Sequence, residues 1–475
     1  MDVLPNPEPI AASLPGSEDT IVAIATAQGR GALAVIRLSG HRAFDIARAI
    51  IASWPEVPRQ VTLSAIGNQH SGMLLDRALV TRYDQPRSYT GEDLVELTTH
   101  GGILVPSTIV AALIEQGARQ AMPGEFTRRA VLNAKLDVMQ AEAVADLIDA
   151  RSRRGQAMAL AQLDGGLSRR ITELRSALIE IEALLAYDID FPEEDDGPVP
   201  AERIARATDA VLNSLAALRA TASTGELVRE GAVVVLAGAS NVGKSSLFNA
   251  LLGQSRAIVT DIPGTTRDAL EAVIDAGAWA LRLVDTAGLR ETMDRIEQMG
   301  IEVSERYLDR AAVVLACSDS AESIDPVVDF ARQRTTAPII VVHTKADIAS
   351  PDRPLVSGSY QYRRSRESLP AIAVSAETGS GLDALVGLIV ELLSARHAEL
   401  PLDAPVLTRA RHQRAVDEAA REVERFRSGW MDDSLPAPVV ATHLRNAVVA
   451  LEELIGIVGV DDVLDRVFSA FCVGK

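Results

Sequence analysis

One short segment constrains the fold of this chain more than any other part of its sequence. Residues 238–245 read Gly-Ala-Ser-Asn-Val-Gly-Lys-Ser and fit the pattern G-x-x-x-x-G-K-[ST]. The segment follows an apolar run at 233–236 that predicts a strand, and it precedes a stretch at 246–249 that predicts a helix. Such a loop directs backbone N–H groups and a helix N-terminus toward phosphate oxygens. The sequence therefore predicts a nucleotide site in which Lys244 reaches the β- and γ-phosphates and Ser245 binds Mg²⁺.

A second motif predicts that the base is guanine. Residues 344–347, Thr-Lys-Ala-Asp, follow a predicted strand and resemble the N-K-x-D motif of GTPases. The Asp347 carboxylate can accept hydrogen bonds from N1–H and the N2 amine of guanine, a donor pair that adenine lacks. Thr344 replaces the usual Asn and loses its amide, so we expect a lower affinity for guanine than that motif normally gives. A loop at 375–377, Ser-Ala-Glu, is expected to complete the guanine contacts.

Two loops between these motifs predict the switches of a GTPase. In the loop at 260–268, Thr266 is expected to join the Mg²⁺ shell when γ-phosphate is bound. Asp285 is expected to hold the metal through water, and the Gly288 amide is expected to sense γ-phosphate. The full set of residues predicted to contact GTP comprises Asn241, Val242, Gly243, Lys244, Ser245, Ser246, Thr260, Asp261, Ile262, Pro263, Gly264, Thr265, Thr266, Asp285, Thr286, Ala287, Gly288, Thr344, Lys345, Ala346, Asp347, Ser375, Ala376 and Glu377.

The residue that positions the attacking water is not part of these motifs. Ras-like proteins use a Gln directly after D-T-A-G, whereas this chain has Leu289 there. Candidates to position this water and to neutralise the developing charge lie in the segment 290–297, Arg-Glu-Thr-Met-Asp-Arg-Ile-Glu, whose charged side chains either serve these roles or are solvated charges on a helix. The motifs alone leave both interpretations open.

Length, charge and composition limit the number of domains, the binding partners and the location that we expect for this chain. A chain of 475 residues exceeds one ordinary hydrophobic core, so two or three domains are expected. Its formal net charge of -18 disfavours general binding to nucleic acid, and the basic run Arg151, Arg153 and Arg154 is either a local RNA patch or a solvated helix face. The pattern predicts no disulfide framework, signal peptide or membrane-spanning run, which favours a location in the cytoplasm.

Changes in hydrophobic periodicity divide the chain into segments. Short β-rich runs predict a small α/β domain at 21–134, after an extension at 1–20 that is expected to be flexible. Apolar residues at helical spacing predict a helical domain at 135–229 that resumes at 396–475. An α/β domain with a parallel sheet is expected between the two helical parts, at 230–395. The predicted strands are 21–25, 33–38 and 94–99 in the first domain, and 232–237, 280–284, 311–317, 338–343 and 371–375 in the parallel sheet.

Motifs in the flanking segments point to one family. They are Gly-Arg-Gly at 29–31, Ile-Arg-Leu-Ser-Gly at 36–40, Ser-Tyr-Thr-Gly-Glu-Asp at 88–93, His-Gly-Gly at 100–102, Pro-Gly-Glu-Phe-Thr at 123–127, Leu-Asn-Ala-Lys-Leu-Asp at 132–137 and Phe-Cys-Val-Gly-Lys at 471–475. With the nucleotide motifs, they make nearly the whole chain resemble the MnmE (TrmE) family of tRNA-modification GTPases. The resemblance implies a multidomain fold of α/β and all-α parts: an N-terminal folate-binding α/β domain, a discontinuous helical domain and an inserted Ras-like P-loop G domain.

The same resemblance implies ligands and a homodimer. The N-terminal domain is expected to dimerise and to bind a one-carbon carrier of the 5-formyl-tetrahydrofolate type. The G domains are expected to pair, with K⁺ in place of an arginine finger, and Glu297 is the implied residue that orients the attacking water. The implied folate contacts are Arg37, Glu96, Lys135 and Lys475, and the implied K⁺ ligands are Asn241, Thr260, Ile262 and Thr265.

The implied reaction installs an aminomethyl-type (carboxymethylaminomethyl) group at C5 of the wobble uridine of certain tRNAs. It requires MnmG (GidA), a partner that uses flavin and NADH, in a heterotetramer where the partner makes most tRNA contacts. Cys472 matches a cysteine on which this modification depends in the family. Two alternatives stay open: a regulatory GTPase switch, for instance in ribosome assembly, and a folate-dependent one-carbon transferase regulated by GTP.

Overall fold

The computed structural model divides the chain into two compact units. The first comprises Met1–Ala145, Ile171–Arg175 and Val448–Lys475, and the second comprises Asp146–Arg170 and Ser176–Ala447. Within the ranges that the structure describes, no helix is long and apolar enough to cross a membrane. The described residues are 19–27, 29–68, 72–190, 200–254, 270–285, 307–348, 358–365, 367–397, 400–401, 403–432, 436–456 and 474.

The first unit is built around a six-stranded sheet. Its elements are β1 (Ile21–Ile24), β2 (Leu33–Ser39), α1 (Ala43–Arg48), β3 (Thr62–Asn68), β4 (Met73–Tyr83), β5 (Leu94–His100), α2 (Leu104–Glu115), β6 (Arg119–Gln120) and α3 (Glu125–Leu132), followed by α4 (Val138–Asp149). The strands lie in the order β3-β4-β5-β2-β1-β6, and β1 with β6 is the one parallel pair among these described strands. Alternate strand side chains, among them Val22, Ile36 and Leu97, form the core together with Ile109 of α2.

Three strands of this sheet, β3, β4 and the two-residue β6, were not among the sequence predictions. The predicted strands at 21–25, 33–38 and 94–99 correspond to β1, β2 and β5. In β3 and β4 the side chains of Leu63 and Leu79 are exposed. These leucines stand where a half-buried strand normally carries polar residues, so the alternation that identifies a strand is lost.

A buried polar network accounts for some of the motifs in the first unit. The Ser39 hydroxyl lies 2.6 Å from Thr90 Oγ1 and donates to Glu92 Oε2 at 2.8 Å. Arg129, only 5% exposed, pairs with Glu92 at 3.1 Å and with Glu125 at 3.2 Å. Because each buried charge has a partner, these residues hold the loop before β5 and the helix α3 against β2.

The second unit opens with helices. After α4 come α5 (Arg153–Leu163), α6 (Gly166–Asp190) and α7 (Ala201–Glu230). The apolar stripes that predicted α6 and α7 are buried, because residues three and four apart share one face of a helix. The buried positions include Leu178, Ile181 and Leu185 on α6 and Ile204, Val211, Leu215 and Leu218 on α7.

A seven-stranded sheet follows in the second unit. Its elements are β7 (Ala232–Ala237), α8 (Lys244–Gln254), β8 (Leu270–Asp275), β9 (Ala280–Asp285), β10 (Val313–Ser318), α9 (Ile324–Arg332), β11 (Ile339–His343), β12 (Gly358–Gln361), β13 (Ser368–Ala373) and α10 (Leu382–Arg396). The strand order is β12-β13-β11-β10-β7-β9-β8, and the edge strands β12 and β8 are antiparallel to their neighbours. The five strands that the sequence predicted are the five parallel ones. The carboxyl ends of these strands therefore share one edge, where the predicted loops meet.

One predicted strand is displaced from its expected position. The sequence predicted a strand at 371–375, whereas β13 spans Ser368–Ala373. Proline lacks an N–H and is disfavoured inside a sheet, but Pro370 lies opposite Ser359 of the edge strand β12. Ser375 therefore lies in the loop beyond β13, where its hydroxyl contacts Asp347.

In the basic run 151–154, Arg154 fits neither of the two interpretations drawn from the sequence, an RNA patch or a solvated helix face. Arg154 is 9% exposed, so it is neither a solvated charge nor available to RNA. Its guanidinium lies 5.3 Å from the centroid of the Trp279 ring, and its Nη2 donates to the Leu400 carbonyl oxygen at 3.2 Å. Arg154 thus packs α5 against the turn that precedes β9, a contact that helical spacing does not reveal.

Two further helices, α11 (Ala410–Met431) and α12 (Ala437–Ile455), complete the described chain. Helix α11 packs along α7 through buried Val416, Val423 and Phe426. Helices that precede and follow the sheet in the sequence therefore pack together, as a discontinuous helical domain requires. The residue boundaries given for the predicted domains stay predictions.

Candidate functional site

The segment 238–245 forms a tight loop between β7 and α8. Gly238 has a φ of +156°, and a Cβ on it would lie 2.3 Å from the Cys317 carbonyl oxygen, so only glycine fits. Asn241 and Gly243 have φ values of +64° and +97°, in the left-handed region. The loop therefore turns back on itself before α8 begins at Lys244, which leaves the N-terminus of that helix facing it.

The charged and hydroxyl groups of the loop are held by hydrogen bonds. Lys244 is 4% exposed, and its Nζ donates to the carbonyl oxygens of Gly238 at 2.9 Å and Ala239 at 2.7 Å. The Ser245 hydroxyl donates to Asp285 Oδ2 at 2.6 Å, and Asp285 is fully buried at the end of β9. The structure thus brings together two predicted metal-site residues that are forty positions apart in sequence.

The predicted guanine loop contacts the phosphate-binding loop. The Thr344 hydroxyl donates to the Val242 carbonyl oxygen, and Thr344 is 4% exposed. The Ser375 hydroxyl donates to Asp347 Oδ1 at 2.6 Å, while the Asp347 side chain faces solvent. An exposed carboxylate held in place by a buried serine is suited to accept hydrogen bonds from a base. The other predicted contacts in this part of the structure are Gly243, Ser246, Lys345, Ala346, Ala376 and Glu377.

Several predicted site residues lie outside the residues that the structure describes, so their roles stay predictions. They belong to the two switch loops, to the segment that carries the acidic candidates and to the C-terminal tail. These residues are Thr260, Asp261, Ile262, Pro263, Gly264, Thr265, Thr266, Thr286, Ala287, Gly288, Glu297, Cys472 and Lys475.

A second cluster lies on the sheet of the first unit. Arg37 and Glu96 are register partners on β2 and β5, and their side chains pair at 2.8 Å. The Arg37 guanidinium lies 5.0 Å from the Tyr89 ring centroid and 5.6 Å from that of Phe126, and the Tyr83 hydroxyl donates to Glu96 Oε2 at 3.3 Å. Burial raises the pKa of Tyr89, so its hydroxyl stays protonated at neutral pH. The cluster presents a planar cation, a carboxylate and two tyrosine rings, while Phe126 is fully buried and supports Arg37 from the core.

Lys135, another predicted contact, lies beside the loop that carries one of these rings. Its Nζ donates to the Pro86 carbonyl oxygen at 3.1 Å, and its Cγ would lie 3.3 Å from a Cβ placed on Gly91. Lys135 therefore packs along the loop that contains Tyr89. Sequence reasoning did not identify Tyr83, Tyr89 or Phe126 as site residues, although the last two lie within the quoted motifs at 88–93 and 123–127.

One residue near the C-terminus, Gly474, packs on the same part of the first unit. Gly474 is buried with a φ of +103°, and a Cβ on it would lie 2.2 Å from the Ile24 carbonyl oxygen and 3.0 Å from the Ala25 Cα. The preceding residue of β1, Ala23, is the register partner of Arg37. The close approach explains the glycine at 474, and it places Gly474 against the strand that pairs with the strand of Arg37.

Comparisons with known proteins agree with this architecture. The family profile described as GTP-binding protein TrmE N-terminus matches residues 20–135, and that of the MnmE helical domain matches residues 138–472. The tRNA modification GTPase MnmE of Moorella thermoacetica is 40% identical over 468 residues, which cover 96% of this chain and 100% of that protein. The chain belongs to the MnmE (TrmE) family of tRNA modification GTPases. The family, the fold class and the assignment as a GTP hydrolase are thereby confirmed.

Other relatives give the same result over the same length. The tRNA modification GTPase MnmE of Methylobacterium radiotolerans is 42% identical over 464 residues, covering 96% of this chain and 99% of that protein. Among solved structures, the G domain of the T. maritima FeoB iron transporter shares 27% identity, with a TM-score of 0.26, and covers 34% of this chain and 98% of that one.

Proposed function

We propose that this MnmE-family chain is a K⁺-stimulated GTPase of the cytoplasm that, together with MnmG (GidA), installs a carboxymethylaminomethyl group at C5 of the wobble uridine of certain tRNAs. The observation that carries the proposal is the packing of Gly474 on the end of β1, beside the strand that bears Arg37. Cys472 and Lys475 lie within two residues of Gly474 in the sequence. A thiol close to a one-carbon carrier suits carbon transfer, whereas a purely regulatory GTPase needs neither group.

The Arg37 cluster has the chemistry that a reduced folate requires. Such a ligand has a flat bicyclic ring with an amino edge and a carbonyl, and it ends in carboxylates. The Glu96 carboxylate can accept from the amino edge, and the Arg37 guanidinium can donate to a carbonyl or a carboxylate. Tyr89, which is partly exposed, adds aromatic surface beside Arg37, whereas Phe126 is fully buried in the core next to it. We assign a 5-formyl-tetrahydrofolate-type carrier to this cluster, with Lys135 and Lys475 as further contacts.

The residues of the nucleotide loop fit two metal ions. The Ser245 hydroxyl and Asp285 carboxylate provide the oxygen ligands that Mg²⁺ prefers, and Thr266 is the proposed third group. Asn241 is exposed beside the loop, where its amide oxygen can face a monovalent cation. When bound, K⁺ supplies positive charge that stabilises negative charge developing on the phosphates, while Glu297 orients the attacking water. The further proposed K⁺ ligands are Thr260, Ile262 and Thr265.

An exposed apolar surface on the first unit supports the proposed homodimer. Leu33 is 62% exposed, Leu63 is 63% exposed and Leu79 is 43% exposed. Leu63 and Leu79 are register partners, and Leu33 lies four residues from Arg37 on β2, so it shares a face with Arg37. Exposed leucines on one sheet are suited to a protein interaction surface. A second copy bound there would also cover the folate cluster.

Mass analysis of tRNA nucleosides tests the proposed reaction. Cells that lack this chain should lose the modified wobble uridine, and the wild-type gene should restore it. Cys472→Ser should fail to restore it, whereas Cys317→Ala should succeed, because burial raises the pKa of the Cys317 thiol to about 12 and keeps it unreactive. Unchanged wobble uridines in the deletion strain would exclude the modification and favour a regulatory GTPase.

The partnership with MnmG needs a separate measurement. Mixing the two purified proteins should give a complex whose light-scattering mass equals two copies of each chain. Arg37→Ala should leave this mass unchanged but abolish tRNA modification in the reconstituted system, because its proposed role is to bind the carbon donor. Full tRNA modification by the Arg37→Ala variant would show that the folate does not bind at this cluster.

A further inference from the structure

We propose that Thr344 makes guanine recognition in this chain independent of the base nitrogen N7. The inference rests on the proposed guanine site at residues 344–347 and 375–377, and it concerns which edge of the base that site recognises. Guanine carries the acceptors O6 and N7 on its Hoogsteen edge, and the donors N1–H and the N2 amine on its Watson–Crick edge. A side chain that recognises N7 must therefore supply a proton.

The single proton of the Thr344 hydroxyl is already donated within the protein. Thr344 Oγ1 donates to the Val242 carbonyl oxygen in the phosphate-binding loop. The Thr344 backbone N–H is also engaged, because it donates to the Ser318 carbonyl oxygen at 2.9 Å. A hydroxyl has one proton, and its lone pairs cannot bind an acceptor such as N7. Thr344 thus joins the two loops and has no donor left for the base.

Two other predicted guanine contacts also donate to protein oxygens. Lys345 Nζ donates to the Asn241 carbonyl oxygen at 2.9 Å and to Asp319 Oδ2 at 2.9 Å. The Ser375 hydroxyl donates to Asp347 Oδ1 at 2.6 Å, which aims the carboxylate rather than binding an acceptor on the base. Adenine lacks the N1–H and N2 donor pair of guanine, so discrimination between the two bases falls on Asp347, which accepts from both donors.

An asparagine at position 344 would differ from threonine in the number of protons that its side chain can donate. Its amide has two protons and a carbonyl oxygen, so it can donate to the Val242 carbonyl oxygen and still offer a proton to N7. Thr344→Asn should therefore create a dependence on N7 that the wild-type chain lacks. Thr344→Val removes the hydroxyl and should weaken binding of every guanine nucleotide equally, because it removes only the contact between the loops.

The test compares GDP with 7-deaza-GDP, in which N7 is replaced by C–H, by displacement of a fluorescent GDP from the full-length protein. We expect the wild-type affinities to agree within about twofold, because no donor is lost. For Thr344→Asn we expect GDP to bind roughly two- to tenfold more tightly than 7-deaza-GDP. Wild-type binding of 7-deaza-GDP that is weaker than that of GDP by about fivefold or more would overturn the inference.

ADP separates this inference from the site assignment on which it rests. If GDP binds no better than ADP, the guanine site itself is wrongly assigned. If GDP is preferred over ADP but 7-deaza-GDP binds poorly, the site stands and the role given to Thr344 is wrong. The wild-type comparison needs no variant, so the inference remains testable if Thr344→Asn does not fold.

Discussion

Asn241 meets a backbone requirement of the phosphate-binding loop. Its φ of +64° lies in the left-handed region, which few residues other than glycine tolerate and which asparagine adopts more readily than most. Its carbonyl oxygen accepts a hydrogen bond from Lys345 Nζ at 2.9 Å. The side chain remains exposed next to the phosphate-binding loop and is free to be tested as a cation ligand.

Asn241→Gly tests the K⁺ site without straining the backbone, because glycine accepts a positive φ. The wild-type chain should hydrolyse GTP at least roughly tenfold faster in K⁺ than in Na⁺, and Asn241→Gly should remove this difference. Asn241→Asp, which keeps a side-chain oxygen, should retain K⁺ stimulation. Phosphate release measured in matched chloride buffers gives the rates, and equal wild-type rates in both salts would refute the K⁺ role.

Glu297 is the residue to which we assign the orientation of the attacking water. Glu297→Ala should bind GTP normally and lose roughly 100- to 10,000-fold in hydrolysis, because a positioned general base contributes about that much. Glu291→Ala is the control and should hydrolyse GTP at the wild-type rate. Single-turnover hydrolysis together with nucleotide affinity checks both statements. Strong hydrolysis by Glu297→Ala would transfer the role to Glu291 or Asp294.

At the scale of elements, the junction of β7 and α8 requires glycine at position 238, because the neighbouring strand leaves no room for a side chain. A side chain at Gly238 would collide with the Cys317 carbonyl oxygen of the neighbouring strand β10. Gly253, near the end of α8, has no heavy atom within 4 Å of the place where its Cβ would lie. The same substitution at these two positions thus separates the effect of crowding from that of helix propensity.

Gly238→Ala should abolish nucleotide binding, because the loop must shift away from β10 to accommodate a methyl group. Gly253→Ala should bind GTP as the wild type does and should stabilise the chain by up to about 1 kcal/mol, since alanine is the better helix former. Titration with a fluorescent GDP and chemical denaturation measure the two effects. Wild-type affinity in Gly238→Ala would show that the loop adapts to the methyl group.

At the scale of the whole molecule, buried polar contacts join the helices and the sheet of the second unit. The Gln162 side-chain amide donates to the Val406 carbonyl oxygen at 2.9 Å, and Arg229 Nε donates to the Thr408 carbonyl oxygen at 2.8 Å. Trp279 is fully buried before β9 and donates from Nε1 to the Ser394 hydroxyl at 3.2 Å. Residues 406–408, which follow α10, are therefore held by hydrogen bonds from α5 and α7.

Trp279→Ala should destabilise the second unit by about 3–5 kcal/mol, because it leaves a large cavity and removes the aromatic ring next to Arg154. Phe330→Ala is the control, since Phe330 is 36% exposed, and it should cost less than about 1 kcal/mol. Urea denaturation followed by circular dichroism compares the two variants. A similar loss of stability in both would show that Trp279 is not the centre of this contact.

Local patterns were enough for much of the fold. The phosphate-binding loop, the five parallel strands and helices α6 and α7 all follow from residues that are close in sequence. Strands β3 and β4 were not predicted because exposed leucines interrupt their alternation of apolar and polar residues. Which leucines are exposed depends on the tertiary structure and cannot be read from the strand sequence. The limits of β13 were displaced because the pairing of Pro370 depends on a neighbouring edge strand.

The sequence by itself determined the nucleotide chemistry and the family, because that information is carried by short motifs with fixed spacing. Only the tertiary structure decided which distant residues meet. It pairs Arg37 with Glu96, brings Ser245 to Asp285 and buries Arg154 against Trp279. It also joins the phosphate-binding loop to the predicted guanine loop, because the Val242 carbonyl oxygen accepts a hydrogen bond from the Thr344 hydroxyl. Such contacts depend on strand register and on the packing of elements far apart in sequence, and no local pattern records either.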